Sequence, residues 1–135
     1  MKTHGFEEVA HTADLAIKVW AEDFNSLLCQ SARGMYGLMD ITPDPTHQFI
    51  AKFTIIKSNR ETVLVDFLNE LLFRVEEKLA MYENFSFTKE VKGLQVTAYE
   101  YPIKAFQREI KAVTFHNLVI KDMDFGVMTT ITFDV

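Results

Sequence analysis

Four short polar islands stand in an otherwise apolar chain, and they hold the side chains best suited to chemistry. They are His11-Thr12-Ala13-Asp14, Asp66 with Asn69, Lys111 to His116, and Phe133-Asp134-Val135. Asp134 is the oddest of them. It sits in Ile131-Thr132-Phe133-Asp134-Val135, where strand propensity disfavours aspartate. A buried carboxylate there is costly unless it is paired, hydrogen-bonded or bound to a metal; a solvated residue at the chain end is the plainer alternative. Asp14 carries the same two readings, either a turn residue whose carboxylate accepts backbone N–H groups or a ligand. His11 and His116 fit hydrogen-bonded structural imidazoles as readily as ligands. Asp66 suits the positive end of a helix, and Lys111 suits the exposed side of a strand.

Familiar catalytic signatures are missing around these islands. The sequence has no glycine-rich phosphate loop, no Gly-x-Ser-x-Gly elbow and no His-Glu-x-x-His helix. Histidines at positions 4, 11, 47 and 116 are too scattered for a structural zinc motif. The lone cysteine, Cys29, excludes an internal disulfide and any multi-cysteine cage, and its place on a helix favours a buried structural thiol. A net charge of −5 argues against direct binding of nucleic acid, which requires a basic surface. No apolar run approaches the ~18 residues needed to span a bilayer, and the first residues carry no signal-peptide pattern. The expected location is cytoplasmic.

The elements that must position the islands follow from hydrophobic period. With 135 residues and 48% apolar content the chain suits one domain, residues 1–135, with a real core. Phe6 to Ala10 and Leu15 to Trp20 read as strands around the first island, the second with a period near two. Leu28, Ala32, Met35 and Met39 then repeat at helical spacing, with Asp23 or Asn25 as cap and Thr42-Pro43-Asp44-Pro45 as stop. Phe49 to Ile56 is another strand. Ser58 and Glu61 form a predicted capping box opening the strongest helix, whose apolar stripe is Leu64, Phe67, Leu68, Leu71, Leu72, Val75 and Leu79. The remainder reads as β: Phe85, Phe87 and Val91, a turn at Lys92-Gly93, then Leu94 to Tyr101 interrupted by Pro102-Ile103, and finally Lys111 to Ile120 and Val127 to Val135. Two helices among so many strands predict an α+β fold: a single two-layer domain, predominantly β sheet, with two amphipathic helices packed on it.

Taken together, the islands resemble the archease family. The matching segments are His11-Thr12-Ala13-Asp14, Leu64-Val65-Asp66-Phe67-Leu68-Asn69-Glu70-Leu71-Leu72, Ile110-Lys111-Ala112-Val113-Thr114-Phe115-His116 and the closing Phe133-Asp134-Val135. Phe67 and Phe115 depart from the Trp and Tyr frequent in the family, and the second change removes a hydroxyl. The resemblance implies a non-enzymatic accessory protein that promotes guanylylation and multiple turnover of a tRNA-splicing RNA ligase. Such a ligase joins 3′-phosphate and 5′-hydroxyl RNA ends with GTP. The resemblance also implies a metal site with Asp14, Asp134 and an oxygen of Val135 as ligands. An all-oxygen set suits calcium first, with magnesium or manganese as the other choices. His11, Asp66, Lys111 and His116 become candidates for supporting that site or touching the partner. Two other functions compete with this one: a metal-dependent phosphoester hydrolase, and a general chaperone-like protein-binding module.

Overall fold

The computed structural model describes residues 3–9 and 15–135, so the predicted His11 and Asp14 lie outside the described residues. Two antiparallel sheets and two helices account for the architecture. The first sheet contains β1 (Gly5–Val9), β2 (Leu15–Ala21), β7 (Ala112–Thr114), β8 (Lys121–Met123) and β9 (Gly126–Asp134). Its order is β1-β2-β9, with β7 and β8 pairing different stretches of β9. The second contains β3 (Thr42–Pro43), β4 (Phe49–Ile56), β5 (Ala80–Lys89) and β6 (Gly93–Ala105), with β6 pairing all three others. Helices α1 (Phe24–Met39) and α2 (Arg60–Lys78) pack on these sheets, which bears out the α+β reading.

The first helix starts where Asp23 accepts the Ser26 N–H at 2.7 Å. It ends before the prolines, at Asp40, which takes a left-handed conformation (φ 52°) and donates its N–H to the Tyr36 and Gly37 carbonyls. Thr42-Pro43 is therefore free to form β3. The start of α2 also differs from the capping-box expectation. Asn59, not Ser58, is the cap, accepting the Thr62 N–H at 2.9 Å. This shift of one residue frees Glu61 to accept the Ile120 N–H at 2.9 Å, while Arg60 pairs with Asp122. Both contacts bind the helix start to the β8 region of the other sheet.

The predicted α2 stripe is buried from Leu64 to Val75, but Leu79 is exposed, because the helix ends at Lys78 and Leu79 is its left-handed cap; Val63 and Val65 beside the stripe are buried as well. The helix needs this wider apolar arc because it meets β4 and β5 of one sheet, β7 of the other, and α1. Phe67, fully buried, anchors the largest aromatic group: its ring lies 6.5 Å from Phe53, 5.3 Å from Phe85 and 5.8 Å from Phe87.

Strand boundaries differ from the sequence expectation in three places, each with a local cause. β5 begins at Ala80, immediately after the helix, because Ala80, Met81 and Tyr82 are buried; a register shift between Glu83 and Ser86, with Asn84 at φ 56°, breaks the alternation that would reveal them. Val91 falls outside the strand. β6 runs through Pro102 because that residue lies past Glu100, the last β4 partner, and its carbonyl accepts the Asp44 N–H at 2.7 Å. The expected Lys111–Ile120 strand is only β7. It gives way to a turn in which Leu118 donates to the Phe115 carbonyl and Asn117 is left-handed, before β8 resumes. The β8–β9 turn needs Gly126: at φ 151° an added Cβ would come within 2.1 Å of the Ala21 carbonyl oxygen.

Arg74, which sequence period leaves off the stripe, organises a polar cluster inside this packing. Its guanidinium lies 4.4 Å from the centre of the Phe53 ring and donates to Glu70 at 2.7 Å and to the Tyr82 hydroxyl at 3.1 Å. Tyr82 in turn donates to Glu100, and its backbone N–H donates to the Tyr36 hydroxyl at 3.2 Å. Burial raises the pKa of both tyrosines, that of Tyr82 to about 12. A raised folded-state pKa gives stability that is complete below the unfolded value near 10 and is lost as pH rises through the folded value. Tyrosinate absorbance at 295 nm from these two residues is therefore expected only together with alkaline unfolding, as monitored by circular dichroism. Their ionisation in a protein that keeps its native spectrum at pH of about 11 would contradict the packing.

Candidate functional site

One end of the first sheet gathers two of the islands directly. Asp134 closes β9, and its carbonyl accepts the Lys111 N–H at 2.8 Å just before Ala112 pairs with Asp134 across the ladder. On the other side of β9, Leu15 pairs with Phe133 and Ala16 with Thr132. Val9 pairs with Ala16 as well, so the chain leaves β1 and enters β2 beside the closing residues of β9. The expectation that the first island lies near the last residue rests on β2 as the direct neighbour of β9, with β1 one strand further out.

Asp134 and Val135 are both exposed, as are Lys111 and Asp66. Among the described residues no side chain bonds to the Asp134 carboxylate, and no group of three His, Cys, Asp or Glu residues stands close enough to hold a metal by itself. Asp66 lies on α2 one turn before Asn69, toward the helix start that bonds to Ile120 and Asp122 and so away from the Lys111–Asp134 contact. Three residues on, Asn69 accepts the Val113 N–H at 2.9 Å and donates to the Val113 carbonyl at 3.4 Å. This two-way bond fixes the helix face that carries Asp66 to the short strand that follows Lys111. His116 is not brought to the same point. It lies in the turn past the opposite end of β7, with its backbone N–H on the Thr114 hydroxyl and its ring beside Asn117.

Asn69 is the positioning residue that sequence reasoning noticed but did not assign. The available signal was an amide set one position from the buried Leu68 on an otherwise apolar helix face. Without its side chain the partly buried Val113 backbone groups lose both partners. Asn69→Ala is expected to cost about 1–3 kcal/mol in urea unfolding and to speed hydrogen exchange at the Val113 amide. Unchanged exchange at that amide would remove Asn69 from the positioning of this end.

With this geometry in place, comparison with known proteins is decisive on one point. Residues 6–135 match the family model described as the archease protein family. The chain belongs to the archease family. Protein archease of Methanopyrus kandleri is 30% identical over 132 residues, covering 88% of this chain and 91% of that protein. Protein archease of Danio rerio is 24% identical, covering 90% of this chain and 80% of its own length. The fold is shared with a Thermotoga maritima archease, described as a possible chaperone, at TM-score 0.71 and 18% identity, with 96% of each chain covered. The solution structure of a Methanobacterium thermoautotrophicum protein matches at TM-score 0.73 and 23% identity, covering 97% of this chain and 99% of that one. Membership of the archease family makes this an accessory protein of the archease type. No helix among the described residues is long and apolar enough to cross a membrane.

Proposed function

We propose that this archease activates a tRNA-splicing RNA ligase, promoting its guanylylation and repeated turnover, through the sheet end where β9 closes and β2 begins. The observation that carries the reading is the convergence of three separate family segments there. The Lys111 N–H bonds to the Asp134 carbonyl, Asn69 fixes the Asp66 face to Val113, and Leu15, next in sequence to Asp14, pairs with Phe133.

The donor chemistry fits a hard divalent cation. Asp134 offers a carboxylate with no side-chain partner among the described residues, Val135 offers a main-chain oxygen, and Asp14 directly precedes Leu15 in sequence, the residue that pairs with Phe133. These three would hold the ion, calcium first, with magnesium or manganese as the other choices. When bound, the ion would supply the positive charge that lets two carboxylates stand side by side. Lys111 then borders a fixed acidic tip that docks beside the ligase active site, while Asp66 and His116, toward the other end of β7, would touch the partner outside that tip, and His11 precedes Asp14 in the same segment.

Guanylylation of the cognate ligase with labelled GTP tests this directly. The archease is expected to raise the extent of guanylylated ligase, and Asp134→Ala to remove that gain without unfolding the protein. Equal guanylylation with and without the archease would reject the proposal. Phosphoester turnover by the isolated protein, lost on chelation, would favour the hydrolase reading instead.

A further inference from the structure

The second sheet has an edge that no described strand or helix covers. β4 pairs with β6 on one side only, while its inner side chains, Phe53 and Ile55 among them, pack toward the core. Lys57 donates its N–H to the Lys92 carbonyl on the β6 side. Alternation along the strand therefore turns the N–H and C=O groups of Ile50, Lys52, Thr54 and Ile56 to the open edge. The side chains of the same four residues stand on the solvent face, and Ile50 and Ile56 are 69% and 74% exposed. An eight-residue strand with free backbone groups and two bare isoleucines is a template for strand addition.

We infer that β4 is a self-association edge, taking the β4 strand of a second copy of this chain antiparallel across a two-fold axis at Phe53. The occupant follows from the strand's own pattern. A two-fold axis normal to the sheet keeps solvent faces together, so outward residues must oppose outward residues. Centring on Phe53 sets Ile50 against Ile56 of the second copy, Lys52 against Thr54, and Ala51 against Ile55, with the whole strand used. Centring one residue earlier sets Lys52 against Lys52, which like-charge repulsion disfavours. Lysine is a residue by which edge strands resist pairing. Here it excludes the competing register and leaves the self-complementary one. From Pro45 to Arg60 the chain holds no Asp or Glu, so the net negative charge of the protein is not concentrated at this edge.

A single strand pair buries less than the roughly 1,600 Å² of a standard stable interface, so the dimer is weak and forms at high concentration. Sedimentation equilibrium between about 10 µM and about 1 mM reads it. The wild-type weight-average mass is expected to climb toward twice the monomer. Thr54→Lys places two lysines opposite each other at both symmetric positions and weakens association about tenfold, whereas Thr54→Glu meets Lys52 of the other copy and strengthens it by a similar factor. Position 54 is exposed and faces away from α2, and circular dichroism checks that both variants keep the fold. The edge itself is basic, with Lys52, Lys57 and Arg60 and no acid between Pro45 and Arg60, so opposite shifts by the two variants report association through this edge. A wild-type chain that stays monomeric throughout, or two substitutions that shift the mass in the same direction, would overturn the inference; the second result would point to another surface or to a different partner strand.

Discussion

Asp134→Ala is expected to reduce stimulation of RNA joining by at least about tenfold while leaving thermal stability nearly unchanged. The scale follows from what metal sites lose even when only a supporting group is removed. Stability should hold because the carboxylate is exposed and bonds to no described side chain, whereas its backbone carbonyl, which accepts the Lys111 N–H, is untouched by the substitution. Exposed positions without such contacts change stability by about 0.5 kcal/mol or less. Asp14→Ala is expected to give the same loss, since the account makes both carboxylates ligands of one ion. Calcium titration by calorimetry, followed through each variant, separates a lost ion from a lost docking contact. Normal stimulation by both variants would reject the metal-centred account outright.

Phe67→Ala is expected to produce the largest loss of stability, about 3–5 kcal/mol in denaturant unfolding. Its ring is fully buried and stands within 6.5 Å of Phe53, Phe85 and Phe87, so the substitution opens a cavity and breaks three aromatic contacts together. The effect should reach the functional end as well. α2 carries Phe67 two residues before Asn69, and a helix that settles into the cavity would pull Asn69 away from Val113. Phe67→Trp, which keeps an aromatic ring but adds volume, is expected to cost less, within the range for overpacking of about 1–3 kcal/mol. If the alanine variant lost less than about 1 kcal/mol, the aromatic group would not be the centre of the core.

The parts of this fold legible from the sequence were those with a clean period. The α2 stripe from Leu64 to Val75 is buried throughout, and β9 occupies the span its alternation predicts, within a residue at each end. Irregular segments hid their structure. The first half of β5 was obscured by the displaced register around Asn84; Lys111 to Ile120 looked like one strand because Val119 and Ile120 continue an apolar run across the turn at Asn117, and β8 lies beyond that run in the short polar stretch before Gly126. Ser58 and Asn59 are adjacent residues of nearly equal capping strength; the Asn59 bond to the Thr62 N–H shows which one caps, and Glu61, the expected capping-box partner, is taken up by a tertiary contact with Ile120.

The candidate site was legible as chemistry and less so as geometry. Asp134 stood out because aspartate is rare in strands, and Lys111 because it preceded an apolar run; their contact through one backbone bond depends on strand pairing that local sequence does not encode. His116 entered the same list by its nearness to Lys111 in sequence, yet β7 carries it to the other end of that strand. Asn69 matters through a partner forty-four residues away, and no local pattern announces such a bond.

The central claim is that this archease makes an RNA ligase turn over. The most direct measurement is a multiple-turnover joining assay with the cognate ligase, using RNA ends that carry a 3′-phosphate and a 5′-hydroxyl, with GTP and divalent metal present. The account predicts joined RNA well in excess of ligase only when the archease is added, falling back to the ligase-alone level with Asp134→Ala. The same yield of joined RNA per ligase with and without the archease would contradict it.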